Sequence, residues 1–199
     1  MRKTLILILG FFSLAQAAEM YVGIVEASDA LVAIVIDGDQ VLAYSCGGIE
    51  NWQTHTSWFS SESEGASVGN MSFELTGRSG LKLQGIFSSD QAQGTLTLQD
   101  GTVLDWQAER VAENTPAGLY KLNQVSTEQE ELTGLIVSND LRTNGTIRII
   151  LPKVSGARSE PVRLAQDLPA STPDFLKVCF SVDQKTSCKD LPRVTSAVL

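Results

Sequence analysis

Residues 21–46 read YVGIVEASDALVAIVIDGDQVLAYSC. Three runs of apolar and β-branched residues are separated by two short polar stretches, and the second of these is Asp37-Gly38-Asp39. β-Branched residues favour strands. An Asp-Gly pair between apolar runs is typical of a tight hairpin, because Gly accepts the positive φ of such a turn. This stretch therefore predicts a meander of three antiparallel strands.

The strand pattern continues beyond residue 46 as short apolar runs at intervals of about ten residues, the spacing of an all-β sandwich or barrel. Between residues 81 and 98, leucines alternate with polar side chains, which indicates a sheet with one buried and one solvated face. No stretch carries the apolar stripe of a helix longer than about three turns. We therefore predict an all-β fold, an antiparallel meander rolled into a barrel or a compact sandwich.

The predicted barrel or sandwich occupies residues 18–113. The segment Asn114-Thr115-Pro116-Ala117-Gly118 interrupts the strand pattern with Pro and Gly, so we place a boundary there. Residues 114–199 are expected to contribute additional strands and a C-terminal hairpin that pack on the same domain or complete it. The stretch from Ser155 to Pro173 contains three prolines and little periodicity, which predicts an extended connection.

The first seventeen residues have the features of a secretory signal peptide. Arg2 and Lys3 precede an apolar run, and Ala15-Gln16-Ala17 matches a cleavage site with small residues. The apolar run is shorter than the about 20 residues of a spanning helix. We therefore predict cleavage after Ala17 with no membrane span afterwards, a retained anchor being the alternative. The expected location is the periplasm or the extracellular space.

The chain is acidic, with 15 Lys and Arg against 23 Asp and Glu and a formal charge of −8. Loss of Arg2 and Lys3 with the signal peptide leaves a formal charge of −10. Contacts to phosphate groups need clustered Lys and Arg side chains. The composition therefore argues against a nucleic-acid partner.

The three cysteines suit an oxidising compartment. Cys179 and Cys188 are equidistant from Asp183-Gln184, and if that pair is the tip of a hairpin, the two thiols face each other across the ladder. We predict a Cys179–Cys188 disulfide, which would hold the hairpin together. Cys46 is left over and is expected to be a buried, inert thiol.

Little of the sequence is suited to catalysis or to metal binding. His55 is the single histidine, and three scattered cysteines lack the paired spacing of a zinc site. No phosphate-binding glycine loop and no dinucleotide fingerprint occurs. We therefore predict no cofactor, no metal and no catalytic residues.

The segment between Gly47 and Gly69 carries the candidate binding residues. Aromatic rings here alternate with amides and hydroxyls, a combination that suits sugar or peptide recognition because ring faces stack while polar groups form hydrogen bonds. The alternative is that Trp58 and Phe59 plug one end of the barrel and the rest is loop. The predicted ligand-binding residues are Trp52, His55, Trp58 and Phe59.

Several short motifs of the sequence are similar to those of a known group of proteins. They include Tyr21-Val22-Gly23-Ile24-Val25, Val35-Ile36-Asp37-Gly38-Asp39, Ala43-Tyr44-Ser45-Cys46 and Ala117-Gly118-Leu119-Tyr120. Over about residues 20–150 the chain resembles exported β-rich bacterial proteins of the actinobacterial type, a group without a settled function. The resemblance implies an exported all-β domain and brings no catalytic residues. The chain departs from the group at Leu135, where a Trp is expected.

Two functional hypotheses follow. The first is an exported, non-catalytic β-domain that binds a small molecule, a glycan or a protein through the segment from Trp52 to Phe59. The second is a small hydrolase, or an inhibitor of one, that uses His55 with a carboxylate such as Glu50 or Asp37. The scarcity of catalytic side chains favours the first hypothesis.

Overall fold

The computed structural model describes residues 18–77, 79–125, 130–150, 157–165, 167–182 and 185–197. The predicted signal peptide at residues 1–17 and the predicted hairpin tip Asp183-Gln184 lie outside these ranges. All regular secondary-structure elements within these ranges are β-strands, so the all-β prediction is confirmed. In the same ranges no helix has the length and apolarity needed to cross a membrane.

The first half of the chain forms one antiparallel sheet of nine strands. These strands are β1 (Glu19–Val25), β2 (Leu31–Asp37), β3 (Gln40–Cys46), β4 (Ser57–Ser60), β5 (Ser67–Gly69), β6 (Ser72–Thr76), β7 (Lys82–Phe87), β8 (Gln91–Thr97) and β9 (Val103–Arg110). The predicted meander corresponds to β1, β2 and β3, and its second turn contains Gly38 with a positive φ of 64°.

The nine-stranded sheet curls into a half-barrel. Its strand order is β4-β3-β2-β1-β9-β8-β7-β6-β5, so two meanders are joined where β9 pairs with β1. The curl brings β4 into contact with β6 and encloses an inner core that contains Tyr21, Phe59, Leu83 and Trp106. Leu81, Leu83 and Leu96 are buried there while Lys82 and Gln84 are exposed, which confirms the predicted alternation.

The second sheet has four strands and covers part of the half-barrel. It contains β10 (Gly118–Val125), β11 (Glu130–Val137), β12 (Thr143–Ile150) and β13 (Ala157–Pro161) in that order. One face packs on the outer face of β1, β2 and β3, where Val35 and Leu42 meet Leu119 and Ile136. The two sheets therefore form two layers with a shared apolar interface.

A three-stranded sheet forms the third layer. It contains β14 (Arg163–Leu164), β15 (Phe175–Val182) and β16 (Lys185–Pro192), and Val178 and Leu191 pack with Tyr120 of β10. Cys179 lies directly opposite Cys188 on β15 and β16, and the two are joined by a disulfide. The predicted disulfide-linked hairpin is confirmed.

The extended connection predicted from Ser155 to Pro173 is wrong in part. Within it, β13 pairs with β12 and β14 pairs with β15. Pro161 is the last residue of β13, on the edge of its sheet, a place where a missing N–H is tolerated. The sequence of these short edge strands shows no clear alternation. They form because a partner strand offers backbone groups for pairing, and the local sequence does not reveal that partner.

Candidate functional site

The segment that contains Trp52 and His55 is a loop, residues 47–56, which connects β3 to β4. It lies at the end of the half-barrel where the turn from β1 to β2 also lies, because Asp29 of that turn contacts the loop directly. The carboxylate of Asp29 accepts a hydrogen bond from the Glu50 backbone N–H (N to Oδ2 2.9 Å) and one from the Asn51 side chain (Nδ2 to Oδ1 2.8 Å). We call this segment the 47–56 loop.

The Asp29 carboxylate acts as an anchor for the 47–56 loop. Burial alone would raise its pKa, but hydrogen bonds from Glu50, Asn51 and the Gly48 backbone outweigh that effect, so the pKa is lower than its ordinary value. The carboxylate is therefore ionised at neutral pH. Charge-assisted hydrogen bonds of this kind are stronger than neutral ones, which holds the loop in one conformation.

Further hydrogen bonds close the loop on itself and tie the residues next to it, Asp29 and Cys46, to the second sheet. The Asn51 carbonyl accepts from the backbone N–H groups of Thr54 (3.1 Å) and His55 (2.9 Å). From β12, the Asn144 side chain donates to the backbone carbonyls of Asp29 (2.7 Å) and Cys46 (3.2 Å). The loop is therefore held by its own hydrogen bonds and by Asp29, and Asn144 in turn joins the backbone of Asp29 to that of Cys46.

His55 is buried, with 7% of its surface exposed. Its Nδ1 shares a hydrogen bond of 2.8 Å with the Thr54 hydroxyl. Burial lowers the pKa of His55, and the charges of Asp29 and Asp100 offset this only in part. The imidazole is therefore neutral at neutral pH, and the carboxylates that influence its pKa are those of Asp29 and Asp100.

Trp58 and Phe59 are consecutive residues of β4, so their side chains leave the strand on opposite faces. Phe59 belongs to the inner core of the half-barrel. Trp58 points outward, stacks on Tyr44 with ring centroids 4.2 Å apart, and has the Lys121 ammonium 5.6 Å from its ring centroid. Both side chains are buried, and they fill two different cores.

The four predicted ligand-binding residues thus do not share one exposed surface. Trp52 is half-buried in the 47–56 loop, while His55, Trp58 and Phe59 are buried. Ligand contact through this segment stays a prediction, and so does hydrolysis through His55. No described hydrogen bond or ion pair joins His55 to Glu50 or Asp37, the two carboxylates suggested from the sequence.

One exposed residue near the start of the loop was not singled out by the sequence reasoning. Ile49 is 88% exposed, and it lies between the glycines that leave β3 and the Asp29-bound residues Glu50 and Asn51. The other large apolar side chains at the surface of the described residues are 53–59% exposed, so Ile49 is the most exposed of the group. The sequence could have indicated Ile49, because it is an apolar residue between Gly48 and Glu50 in a segment where loop residues are expected to be polar.

Cys46 is the free cysteine and is fully buried at the end of β3. Burial raises the pKa of its thiol to about 11. Since the thiolate is the reactive form, this cysteine is inert at neutral pH, as expected from the sequence. In the part of the chain that the structure describes, no three His, Cys, Asp or Glu side chains are grouped so that they could hold a metal ion.

No protein-family model, no curated protein and no solved structure matches this chain. The resemblance to exported actinobacterial β-rich proteins therefore stays a prediction.

Proposed function

We propose that this protein is an exported, non-catalytic binding domain that docks on a partner protein through the 47–56 loop. The observation that carries the proposal is the presentation of Ile49, a large apolar side chain exposed to 88% on a loop that the Asp29 carboxylate holds in place. Burial of such a side chain in a partner stabilises a complex by about 1.5–3 kcal/mol.

The shape of the loop favours a protein partner over a small molecule. A small ligand needs a concave site that encloses most of its surface, whereas Ile49 projects into solvent and the aromatic rings of Trp58 and Phe59 are already packed in the cores. A projecting apolar side chain fits into a pocket of a second protein. Because the loop is ordered before binding, little conformational entropy is lost in the complex.

Export is supported by two features. The sequence begins with a basic, apolar and small-residue pattern typical of a signal peptide, and the Cys179–Cys188 disulfide is of the kind that persists in oxidising compartments. The periplasm or the extracellular space is the location that we propose.

The test is retention of proteins from an envelope extract of the source cells on the immobilised domain. We expect the wild-type domain to retain a defined protein, and Ile49→Ser to weaken that retention at least tenfold because the apolar anchor is lost. Trp52→Ala is also expected to weaken the retention of this protein. Asp29→Ala should also weaken retention, since the loop loses its anchor.

Met71→Ser is the matched control, because Met71 is 56% exposed and precedes β6 at the opposite end of that strand from Gly77, which packs on Ser57 next to the loop. It should retain the same protein as the wild-type domain does. The proposal is wrong if wild type and Ile49→Ser retain the same proteins equally, or if no protein is retained above the bare matrix.

A further inference from the structure

The outer face of the nine-stranded sheet has two halves of opposite character. The half formed by β1, β2 and β3 is apolar and is covered by the four-stranded sheet. On β6, β7, β8 and β9 the outward side chains are polar and exposed instead, among them Glu74, Gln84, Gln93 and Gln107. A surface groove of about 690 Å³ runs over this second half, a volume in the usual range for ligand sites.

The groove is built from two rows of side chains that cross four neighbouring strands. In the first row, Glu74, Gln84, Thr95 and Asp105 lie directly opposite one another on β6, β7, β8 and β9. Glu26 follows β1 beside Asp105, because its N–H donates to the Asp105 carbonyl (2.8 Å). Strands are spaced about 4.8 Å apart, so the row extends over about 14 Å.

The second row has one apolar member. Ser72, Ile86, Gln93 and Gln107 face one another across the same four strands, and Ile86 is 55% exposed. The floor between the rows includes Gly85 and Gly94, which can contribute only backbone. A Cβ at Gly94 would lie 1.9 Å from the Gln84 carbonyl oxygen, so this part of the floor admits glycine alone.

The charges of the groove exclude several ligand classes. Among the described residues, its lining contains three carboxylates, those of Glu26, Glu74 and Asp105, and no Lys, Arg or His. None of the ion pairs described for the chain involves these three carboxylates. Anionic ligands such as phosphates would be repelled. An apolar ligand would find one exposed apolar side chain in the described lining, Ile86, since Phe73 and Trp106 are buried.

The hydrogen-bonding groups then decide between a cationic and a neutral polar ligand. The three glutamine amides each offer N–H donors and a carbonyl acceptor. An ammonium group only donates, so it could bind the carboxylates but would make no use of the amide N–H donors, which would stay hydrated. A hydroxyl group both donates and accepts. Vicinal hydroxyls can donate to the carboxylates and accept from the amides at once, while a C–H face of a sugar ring packs on Ile86.

We therefore propose that the groove binds a neutral oligosaccharide, with Gln84, Gln93 and Gln107 as its principal hydrogen-bonding residues and Ile86 as its apolar contact. This site goes beyond the proposed protein-binding function, because the 47–56 loop does not line the groove. The lining includes two aromatic residues, Phe73 and Trp106, but they are 4% and 2% exposed and offer little ring surface for stacking, so we expect a weak affinity.

The test is titration of the folded protein with neutral oligosaccharides, namely cellohexaose, mannohexaose, laminarihexaose and chitohexaose, followed by amide NMR shifts and calorimetry. At least one sugar should shift amides of β7, β8 and β9, with an affinity that changes less than twofold between low and high salt. Gln93→Ala and Gln107→Ala should each weaken binding about fivefold, the effect of one lost hydrogen bond. Gln53→Ala, an exposed glutamine of the 47–56 loop, is the matched control and should leave the affinity unchanged.

Spermidine serves as the cationic probe. The proposal is overturned if none of the four sugars binds, if the groove variants bind as the wild type does, or if spermidine binds more tightly than every sugar and is released by salt. None of these results bears on protein retention by the loop, and Ile49→Ser should bind sugar normally. Failure of the sugar-binding proposal and failure of the protein-binding proposal can therefore be distinguished.

Discussion

At the scale of single residues, the candidate site depends on side chains that are distant in sequence. Asp29 holds Glu50 and Asn51, and Asn144 reaches the Asp29 and Cys46 carbonyls. None of these partners could be paired from the sequence, since Asp29 is 21 and 22 positions from Glu50 and Asn51 and 115 positions from Asn144. By contrast, the inert state of Cys46 followed from the general burial of free cysteines.

His55 leads to a prediction about pH. Its folded pKa is below the ordinary value of about 6.5 because the ring is buried, so protonation favours the unfolded state. The stability that depends on neutral His55 is complete above about pH 6.5 and is lost as the pH falls through the lower folded pKa. We expect the urea midpoint of the wild type to fall between pH 7.5 and 5, and that of His55→Gln to fall less.

The carboxylates act in a different pH range. The pKa values of Asp29, Asp100 and Asp140 are lowered from an ordinary 3.8, so their contributions are lost only below about pH 4. The loss between pH 7.5 and 5 can therefore be attributed to His55. Equal losses for the wild type and His55→Gln in that window would contradict the assignment.

At the scale of elements, the strands with clear alternation were predictable and the edge strands were not. The turn at Asp37-Gly38-Asp39 and the leucine alternation between residues 81 and 98 reflect local preferences that the structure keeps. The strands β13 and β14 exist because β12 and β15 offer unpaired backbone groups beside them. Such pairing is a property of the partner strand, so a window of local sequence does not contain it.

The disulfide of the β15–β16 hairpin is expected to stabilise its own sheet. Replacement of both cysteines, Cys179→Ser with Cys188→Ser, removes a cross-link that closes a short loop and should lower the free energy of unfolding by about 2 kcal/mol. Amide exchange should quicken on β15 and β16 and stay slow in the inner core of the half-barrel. Denaturant unfolding with hydrogen exchange measures both effects.

Reduction provides the control for this prediction. Dithiothreitol should destabilise the wild type to the level of the double variant and leave the double variant unchanged, since Cys46 is a free thiol already. Identical unfolding midpoints for wild type and double variant without reductant would show that the disulfide does not stabilise the sheet.

At the scale of the whole molecule, the layers are held together by apolar interfaces on both faces of the four-stranded sheet. One close contact of this packing is at Gly134 on β11, which lies under the stacked rings of Tyr44 and Trp58. A Cβ there would stand 2.6 Å from Trp58 Cζ2 and 2.8 Å from Tyr44 Cε1. The buried rings have no room to move, so the interface requires glycine.

Gly134→Ala should therefore lower the free energy of unfolding by about 1–3 kcal/mol, the usual cost of overpacking, and change the fluorescence of Trp58. Gly69→Ala is the control, because its Cβ on an exposed edge strand would meet the hydroxyl oxygen of Ser72 at 3.1 Å and its carbonyl oxygen at 3.8 Å, and no buried ring. Its stability should stay close to that of the wild type. A Gly134→Ala protein as stable as Gly69→Ala would refute the tight interface.

The sequence by itself determined the all-β class, the positions of the main turns, the buried face of the strands and the cysteine pair. These properties follow from periodicity and turn chemistry, which act over a few residues. Only the tertiary structure decided that Trp58 and Phe59 enter separate cores, that Asp29 anchors the 47–56 loop, and that half of the large sheet is left open with a polar groove. Each of these depends on which surfaces the curled sheet brings together, and that is set by contacts between residues far apart in the chain.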